Sequence, residues 1–191
     1  MKKFSELTKE QKKSFFKFLI IFCSIIIVAV VVDQVTKVVI KNVLTNPPRP
    51  PIKIIGDWLV LRFTTNDGGL GGFLGGKNIL FFIITLVGLP LFTFLAFWTK
   101  KDSYFGAIGL IVVISGIIGN AIDRAFLGTG FFNGEVRDFI SAGDFPIFNI
   151  ADSCITVGII IYAIGVLFVG QGAIFKKKDQ VAVEKVESSE K

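Results

Sequence analysis

Three aspartates, Asp33, Asp123 and Asp152, lie within or beside the long apolar stretches of this chain. An ionisable side chain inside a membrane is costly, so each of the three is a candidate functional residue. Two carboxyl groups that face each other cannot both ionise comfortably, and such a pair can hold a single proton near neutral pH. One member can then activate a water molecule while its neutral partner donates a hydrogen bond to a substrate carbonyl group. This is the chemistry of aspartic peptidases.

The residue composition excludes several other kinds of site. The chain contains no His, which removes Ser–His–Asp triads, His-based acid–base catalysis and His-ligated metals. Its two cysteines, Cys23 and Cys154, lie in separate apolar stretches and lack the spacing of a thiolate metal site. We therefore predict no metal ion, no cofactor, no disulfide framework and no nucleic-acid partner.

Several neighbours of the aspartates fall on the same helical faces. A spacing of three, four or seven residues places two side chains on one side of a helix, and glycines in such a stripe let a second helix approach closely. Asp123 shares its face with Gly109, Gly116 and Asn120. Asp152 shares its face with Asn149 and Thr156, and Asp33 shares its face with Lys37. The pattern predicts that the polar groups of separate helices converge.

Each aspartate also has a purely structural interpretation. Asp33 with Lys37 could be an interfacial ion pair that ends a helix. Asp123 beside Arg124 could be a pair that reaches the water boundary, and Asp152 could be a carboxylate favoured by a helix N-terminus. Each structural interpretation is credible alone. The three together are less so, because they require that separate helices carry aspartates at the same membrane depth by accident.

The chain as a whole is typical of a membrane protein. Of its 191 residues 52% are hydrophobic and 19% are charged, which is too apolar for a soluble globular domain. Its uncharged runs are close to the ~20 residues that cross a hydrocarbon core. The predicted fold is an all-α membrane protein with a small extracytoplasmic β-structured element and four transmembrane helices, at residues 15–36, 79–98, 104–123 and 149–170.

The first apolar stretch could alternatively be a cleaved signal peptide, because six lysines precede it. However, its far end, from Ala29 to Asp33, lacks a small-x-small cleavage site. The stretch from Leu19 to Cys23 is a poor lipobox, because bulky Ile and Phe stand where small residues belong. We interpret this stretch as a retained helix.

The distribution of Lys and Arg predicts the orientation. Thirteen of the 21 basic residues fall on the side of both termini, so the positive-inside rule places the termini in the cytoplasm and all three aspartates near the outer boundary. The predicted parts are a basic cytoplasmic segment 1–14, a membrane domain 15–170 and a charged cytoplasmic tail 171–191. Within the membrane domain we expect an outer β element at about 41–78, which ends in a Gly-rich turn at 68–76, and an outer loop at about 124–148.

Four sequence blocks resemble those of lipoprotein signal peptidase, also called signal peptidase II, a family of bacterial membrane aspartic peptidases. The blocks are Asp33-Gln34-Val35-Thr36-Lys37, Gly119-Asn120-Ala121-Ile122-Asp123-Arg124, Val136-Arg137-Asp138-Phe139-Ile140 and Phe148-Asn149-Ile150-Ala151-Asp152-Ser153, and a weaker one begins at Asn66. Their order and the four-helix layout also agree, so the resemblance covers roughly residues 15–170.

The resemblance implies a role for each matching residue. Asp123 and Asp152 would form the catalytic dyad. Supporting residues would be Asn120, Arg124, Asn149 and Ala151 in the same site, Asp33 and Lys37 as a structural or substrate-positioning element, and Asn66 in contact with the substrate backbone. The implied substrate is a prolipoprotein whose lipobox Cys carries a diacylglyceryl group, cut on the N-terminal side of that Cys. The implied setting is a monomer among the lipids of a bacterial cytoplasmic membrane, with its active site near the outer leaflet.

Two stretches depart from the family pattern. After Asn66 the order of small residues and Phe in 68–73 differs, which affects the substrate contacts expected from that loop. The segment 125–135 is longer than is usual in the family. Its glycines and phenylalanines suit a mobile apolar flap over the cleft, and an extended surface loop is an equally good interpretation. These residues are Gly128, Gly130, Gly134, Phe126, Phe131 and Phe132.

Three other functions are compatible with an apolar chain of this kind. A transporter or scaffold with a proton relay would spread its acids along the membrane depth, whereas three of the predicted helices have uncharged middles. A phosphatase acting on lipid pyrophosphates would need more cations than Arg124 and Arg137, and often His. A Ser–Lys peptidase built on Ser115 or Ser153 would need an intramembrane Lys nearby, and the sequence offers none.

Overall fold

The computed structural model of the protein describes residues 8–67, 78–100, 103–129 and 132–169. Within these ranges four helices are long and apolar enough to cross a membrane. They are α1 (Lys9–Thr45), α2 (Asn78–Thr99), α3 (Tyr104–Phe126) and α4 (Ile150–Leu167). The prediction of four transmembrane helices with a small β element is confirmed.

Helix α1 is longer at both ends than the predicted 15–36. It begins after Thr8, whose hydroxyl group accepts the Gln11 N–H at 3.3 Å while the Gln11 side chain accepts the Thr8 N–H at 3.0 Å. It continues to Thr45 because Lys37 neutralises Asp33 within the helix, and because no Gly or Pro interrupts it. The interpretation of Asp33 and Lys37 as a pair that ends the helix is therefore wrong, since both lie buried inside it.

A three-stranded antiparallel sheet, in the order β1-β2-β3, packs beside the helix ends. Strands β1 (Ile52–Ile55) and β2 (Leu59–Asn66) fall within the predicted β element. Strand β3 (Val136–Ala142) lies in the segment expected to be a loop, and it pairs with β2 from Asn66 opposite Val136 to Leu59 opposite Ala142. The first four residues of β3 are all buried, two of them charged, so its sequence shows no alternation of apolar and polar residues.

Other predicted segments are only partly described. The Gly-rich turn 68–76 and the tail 171–191 lie outside the described residues, as do residues 1–7 of the segment 1–14. In the predicted flap, Phe132 is buried against Phe82 with ring centres 5.2 Å apart, and the Gly134 N–H donates to the Arg124 carbonyl at 2.8 Å. Motion of this segment stays a prediction.

Helices α3 and α4 pack backbone to backbone through the glycine stripe. A Cβ atom on Gly116 would collide with the Ala151 carbonyl oxygen, and one on Gly109 would collide with the backbone of Tyr162. From the other helix, a Cβ atom on Gly158 would lie 2.6 Å from the Gly109 oxygen. This close approach places the first turn of α4 against α3 and brings the polar residues of the two helices together.

Candidate active site

Asp138 on β3 is almost fully buried. Its Oδ2 accepts a hydrogen bond from Asn66 Nδ2 at 3.0 Å, and its Oδ1 accepts one from Asn149 Nδ2 at 2.7 Å. Burial, reinforced by the negative charge of Asp152, raises the pKa of Asp138 to about 6, although both amide donors act to lower it. Asp138 is therefore a carboxyl group that can exchange a proton close to neutral pH.

Asp152 is held by the capping interactions that begin α4. The side-chain oxygen of Asn149 accepts the Asp152 N–H at 3.0 Å, and Asp152 Oδ2 accepts the Asn149 N–H at 3.1 Å. The other carboxylate oxygen, Oδ1, accepts a hydrogen bond from Asn120 Nδ2 on α3 at 2.8 Å. Because Asn149 also donates to Asp138, one asparagine links the two carboxyl groups.

The two aspartates line one cavity of about 560 Å³. Most of its lining residues are apolar, and Val157 on α4 is about half exposed, so the cavity opens onto an exposed apolar surface of this helix. The lining residues are Asn66, Asp138, Ala142, Phe145, Pro146, Ile147, Phe148, Asp152, Ser153, Thr156 and Val157. No three Asp, Glu or Cys side chains in the described ranges are grouped so as to hold a metal ion.

Asp123 is fully buried in a cluster of charges and does not line this cavity. Arg137 Nη2 lies 2.6 Å from its Oδ1, Lys37 Nζ lies 3.3 Å from its Oδ2, and Gln34 Nε2 donates to Oδ1 at 3.1 Å. Among the residues that the structure describes, these partners occupy both carboxylate oxygens. The predicted facing pair of Asp123 and Asp152 is therefore not supported, because cations from α1 and β3 surround Asp123. Asp138 accompanies Asp152 in the cavity instead.

Three further predicted residues lie behind the cavity lining. Lys37 Nζ is 2.8 Å from Asp33 Oδ2 and donates to Asn120 Oδ1 at 3.0 Å. Asp33 Oδ1 accepts the N–H of Ala151 at 2.9 Å, which joins α1 to the first turn of α4. Asp33, Lys37 and Ala151 thus support the site without lining the cavity.

Arg124 is buried at the end of α3, where its guanidinium carbon lies 4.2 Å from the centre of the Phe81 ring. Its Nε has no hydrogen-bond partner among the described residues. A buried donor without a partner costs free energy. Arg124 thus contributes a buried positive charge close to Asp152, Asp138 and Asp123.

The site contains functional candidates that had no predicted role. Asp138 is the main one, with Arg137 and Gln34 behind it. A signal for Asp138 was present in the sequence, since it lies in the block 136–140 that carries part of the resemblance. Asp138 does not stand out as a carboxylate at the end of an apolar helix, because it lies on a short strand.

Comparison with known proteins gives consistent matches. The sequence profile of the signal peptidase II family matches residues 25–168. The lipoprotein signal peptidase of Staphylococcus carnosus strain TM300 is 35% identical over 161 residues, which cover 82% of this chain and 95% of that protein. The lipoprotein signal peptidase of Staphylococcus aureus strain Newman is 35% identical over 147 residues, which cover 75% and 85%. The profile match includes both aspartates of the cavity.

Two solved structures, each described as a bacterial membrane enzyme determined by the in meso method, have a similar fold. The structure at 1.9 Å resolution is 34% identical with a TM-score of 0.64, covering 79% of this chain and 95% of that chain. The structure at 2.3 Å resolution is 33% identical with a TM-score of 0.64, covering 78% and 89%. The similarity thus extends to the arrangement of helices and strands.

Proposed function

Because the chain belongs to the signal peptidase II family of bacterial membrane aspartic endopeptidases, we propose that it cuts prolipoproteins whose lipobox Cys carries a diacylglyceryl group. Cleavage falls on the N-terminal side of that Cys and releases the signal peptide. The observation that carries this proposal is the presence of two carboxyl groups, Asp138 and Asp152, in one largely apolar cavity. We assign the catalytic dyad to these two residues in place of Asp123 and Asp152.

In the proposed dyad Asp138 holds the proton and Asp152 is the general base. The raised pKa of Asp138, about 6, supports this assignment. Asp152 lies in the first turn of α4, and the N-terminal end of a helix dipole favours a negative charge. The two groups therefore differ in environment in the way that an acid and a base must.

The proposed hydrolysis uses one group as a base and the other as a hydrogen-bond donor. Asp152 takes a proton from a water molecule as the water oxygen attacks the scissile carbonyl carbon, and Asp138 donates a hydrogen bond to the carbonyl oxygen. When the tetrahedral intermediate collapses, the C–N bond breaks and Asp152 passes its proton to the amine of the lipidated Cys. The dyad again holds one proton, as at the start.

Four other side chains complete the proposed site. Asn149 and Asn120 orient the carboxyl groups through the hydrogen bonds described above. Asn66 lines the cavity beside Asp138 and is placed to contact the substrate backbone. Arg124 contributes a positive charge close to both carboxyl groups of the dyad.

The apolar walls of the cavity suit a substrate that arrives through the bilayer. Phe145, Phe148 and Val157 offer surface for acyl chains or for the apolar part of a signal peptide. We further propose that both termini lie in the cytoplasm, so that the cavity lies near the outer leaflet. Both aspartates and their supporting residues come from one chain, so the site needs no second copy, and we propose that the enzyme works as a monomer.

Cleavage of a lipidated and an unlipidated form of the same prolipoprotein tests this function. Purified full-length protein in detergent should cut only the diacylglyceryl-modified form, and mass spectrometry should find the modified Cys at the new N-terminus. EDTA and a thiol blocker should leave the rate unchanged. Equal cleavage of the unlipidated form, or a cut at another bond, would contradict the proposal.

A further inference from the structure

Arg137, the residue before Asp138 on β3, connects this strand to two helices. Its Nη2 lies 2.6 Å from Oδ1 of Asp123 on α3, and its Nε donates to Oδ2 of the same carboxylate at 3.2 Å. Nη2 also donates to the side-chain oxygen of Gln34 on α1 at 2.9 Å. A guanidinium group that contacts both oxygens of a carboxylate fixes orientation as well as distance.

The main chain of Arg137 is held at the same point. Its N–H donates to Asp123 Oδ2 at 3.0 Å, so one carboxylate binds both the backbone and the side chain of the residue. Successive residues of a strand point to opposite faces of the sheet. The Arg137 side chain therefore points to the helices behind β3, while Asp138 points into the cavity.

Arg137 also balances the charge of a buried cluster. Asp33 and Asp123 contribute two negative charges, and Lys37 and Arg137 contribute two positive charges, with every member less than one-tenth exposed. Removal of one member of such a cluster leaves a buried charge without compensation. The cluster thus holds β3 in one position relative to α1 and α3.

We propose that Arg137 is a positioning residue for the peptidase reaction: by tying β3 to Asp123 and Gln34, it fixes the Asp138 carboxyl group beside Asp152. This inference rests on the proposed function, because it needs Asp138 in the dyad. Asp123 then contributes to catalysis as the anchor of Arg137 and makes no contact with the substrate.

Replacement of Arg137 should slow the chemical step of the reaction. A displacement of a reacting group by about 1 Å can reduce the rate ~100-fold. Arg137 does not itself line the cavity, so its replacement leaves the apolar walls that bind the substrate in place. A residue that only stabilised the fold would lower the melting temperature and the amount of folded protein, with kcat of the folded enzyme unchanged.

The test compares four variants of the full-length protein: Arg137→Met, Arg137→Lys, Asp138→Asn and the control Arg62→Met. Arg62 is exposed on the neighbouring strand β2 and lies outside the cavity. Steady-state kcat and KM for a lipidated prolipoprotein are measured below the melting temperature of each variant and referred to the folded fraction.

We expect Arg137→Met to lower kcat about 10- to 100-fold with KM nearly unchanged. Arg137→Lys keeps the charge without the guanidinium fork, so it should restore part of the loss and remain roughly threefold or more below wild type. Arg62→Met should match wild type.

A wild-type kcat in Arg137→Met would overturn the positioning role, and if that variant does not fold, a wild-type kcat in Arg137→Lys would do the same. The proposed function fails separately, when wild-type protein does not cut or Asp138→Asn cuts normally. The experiment therefore distinguishes a wrong assignment of the dyad from a wrong assignment of the role of Arg137.

Discussion

At the scale of single residues, the environment of Asp138 decides which carboxyl group carries the proton. Burial and the charge of Asp152 favour its neutral form, whereas the amide donors of Asn66 and Asn149 favour its ionised form. The effect of burial is the largest of these, so the pKa of Asp138 is raised to about 6. The protonated form of Asp138 is the active one in the proposed mechanism.

The pH dependence of kcat/KM should therefore reflect Asp138. As the pH rises through about 6, Asp138 in the free enzyme loses its proton and kcat/KM should fall. In Asn66→Ala the falling limb should move to higher pH, because a donor that lowers this pKa has been removed. The measurement is a pH series of kcat/KM for wild type, Asn66→Ala and the control Asp57→Asn, whose carboxylate is exposed in the turn between β1 and β2. A limb that stays in place or moves to lower pH in Asn66→Ala would contradict the assignment.

Sequence spacing located some of these residues better than others. Asn149 and Asp152 were predictable because a helix start fixes their relation locally, through a cap that is visible in the sequence. The surroundings of Asp123 were not predictable, because its partners Lys37 and Arg137 come from distant segments that meet only in the folded chain. By its place at the end of an apolar stretch Asp123 is a functional candidate, although its carboxylate is fully buried in the structure.

At the scale of elements, the contact between α3 and α4 sets the position of Asp152. Gly116 lies against the Ala151 carbonyl oxygen, one residue before Asp152. The seven-residue glycine stripe was visible in the sequence, and its partner helix was not. Helix α1 is longer than the sequence predicts, because the ion pair of Asp33 with Lys37 stabilises charged residues that a hydropathy pattern treats as a helix end. Strand β3 replaces a predicted loop, because its pairing with β2 is not visible in the hydropathy pattern.

Gly116→Ala should push the start of α4 away from α3. The added methyl group meets backbone atoms, so we expect a loss of roughly 1–3 kcal/mol in stability and a lower kcat. Gly88→Ala on α2 is a matched control, since its Cβ atom would meet side-chain atoms only, at 3.8 Å. Thermal unfolding and cleavage rates of both variants check this. An equally stable and active Gly116→Ala would show that the close contact does not position Asp152.

At the scale of the whole molecule, the proposed orientation decides which leaflet the cavity serves. The two ends of α1 are suitable reporters, because Lys9 begins the helix and the exposed Ile54 lies on β1 beyond its other end. The sequence predicts the orientation from Lys and Arg counts alone, with 13 basic residues on one side and eight on the other.

Single-cysteine reporters should show this orientation in intact cells. In a background with Cys23 and Cys154 replaced by Ser, a membrane-impermeant maleimide should label Ile54→Cys from outside and label Lys9→Cys only after permeabilisation. The opposite pattern would place the cavity near the inner leaflet and exclude processing of exported prolipoproteins at the outer surface.

The most direct test of the dyad is cleavage of a diacylglyceryl-modified prolipoprotein by wild type, Asp138→Asn and Asp152→Asn, with Asp57→Asn as the control. We expect wild type and Asp57→Asn to cut before the lipidated Cys. Both dyad variants should remain folded and lose at least about 100-fold in kcat, since each removes an acid–base group. A folded Asp138→Asn or Asp152→Asn that cuts at the wild-type rate would contradict the assignment of these two carboxyl groups as the catalytic pair.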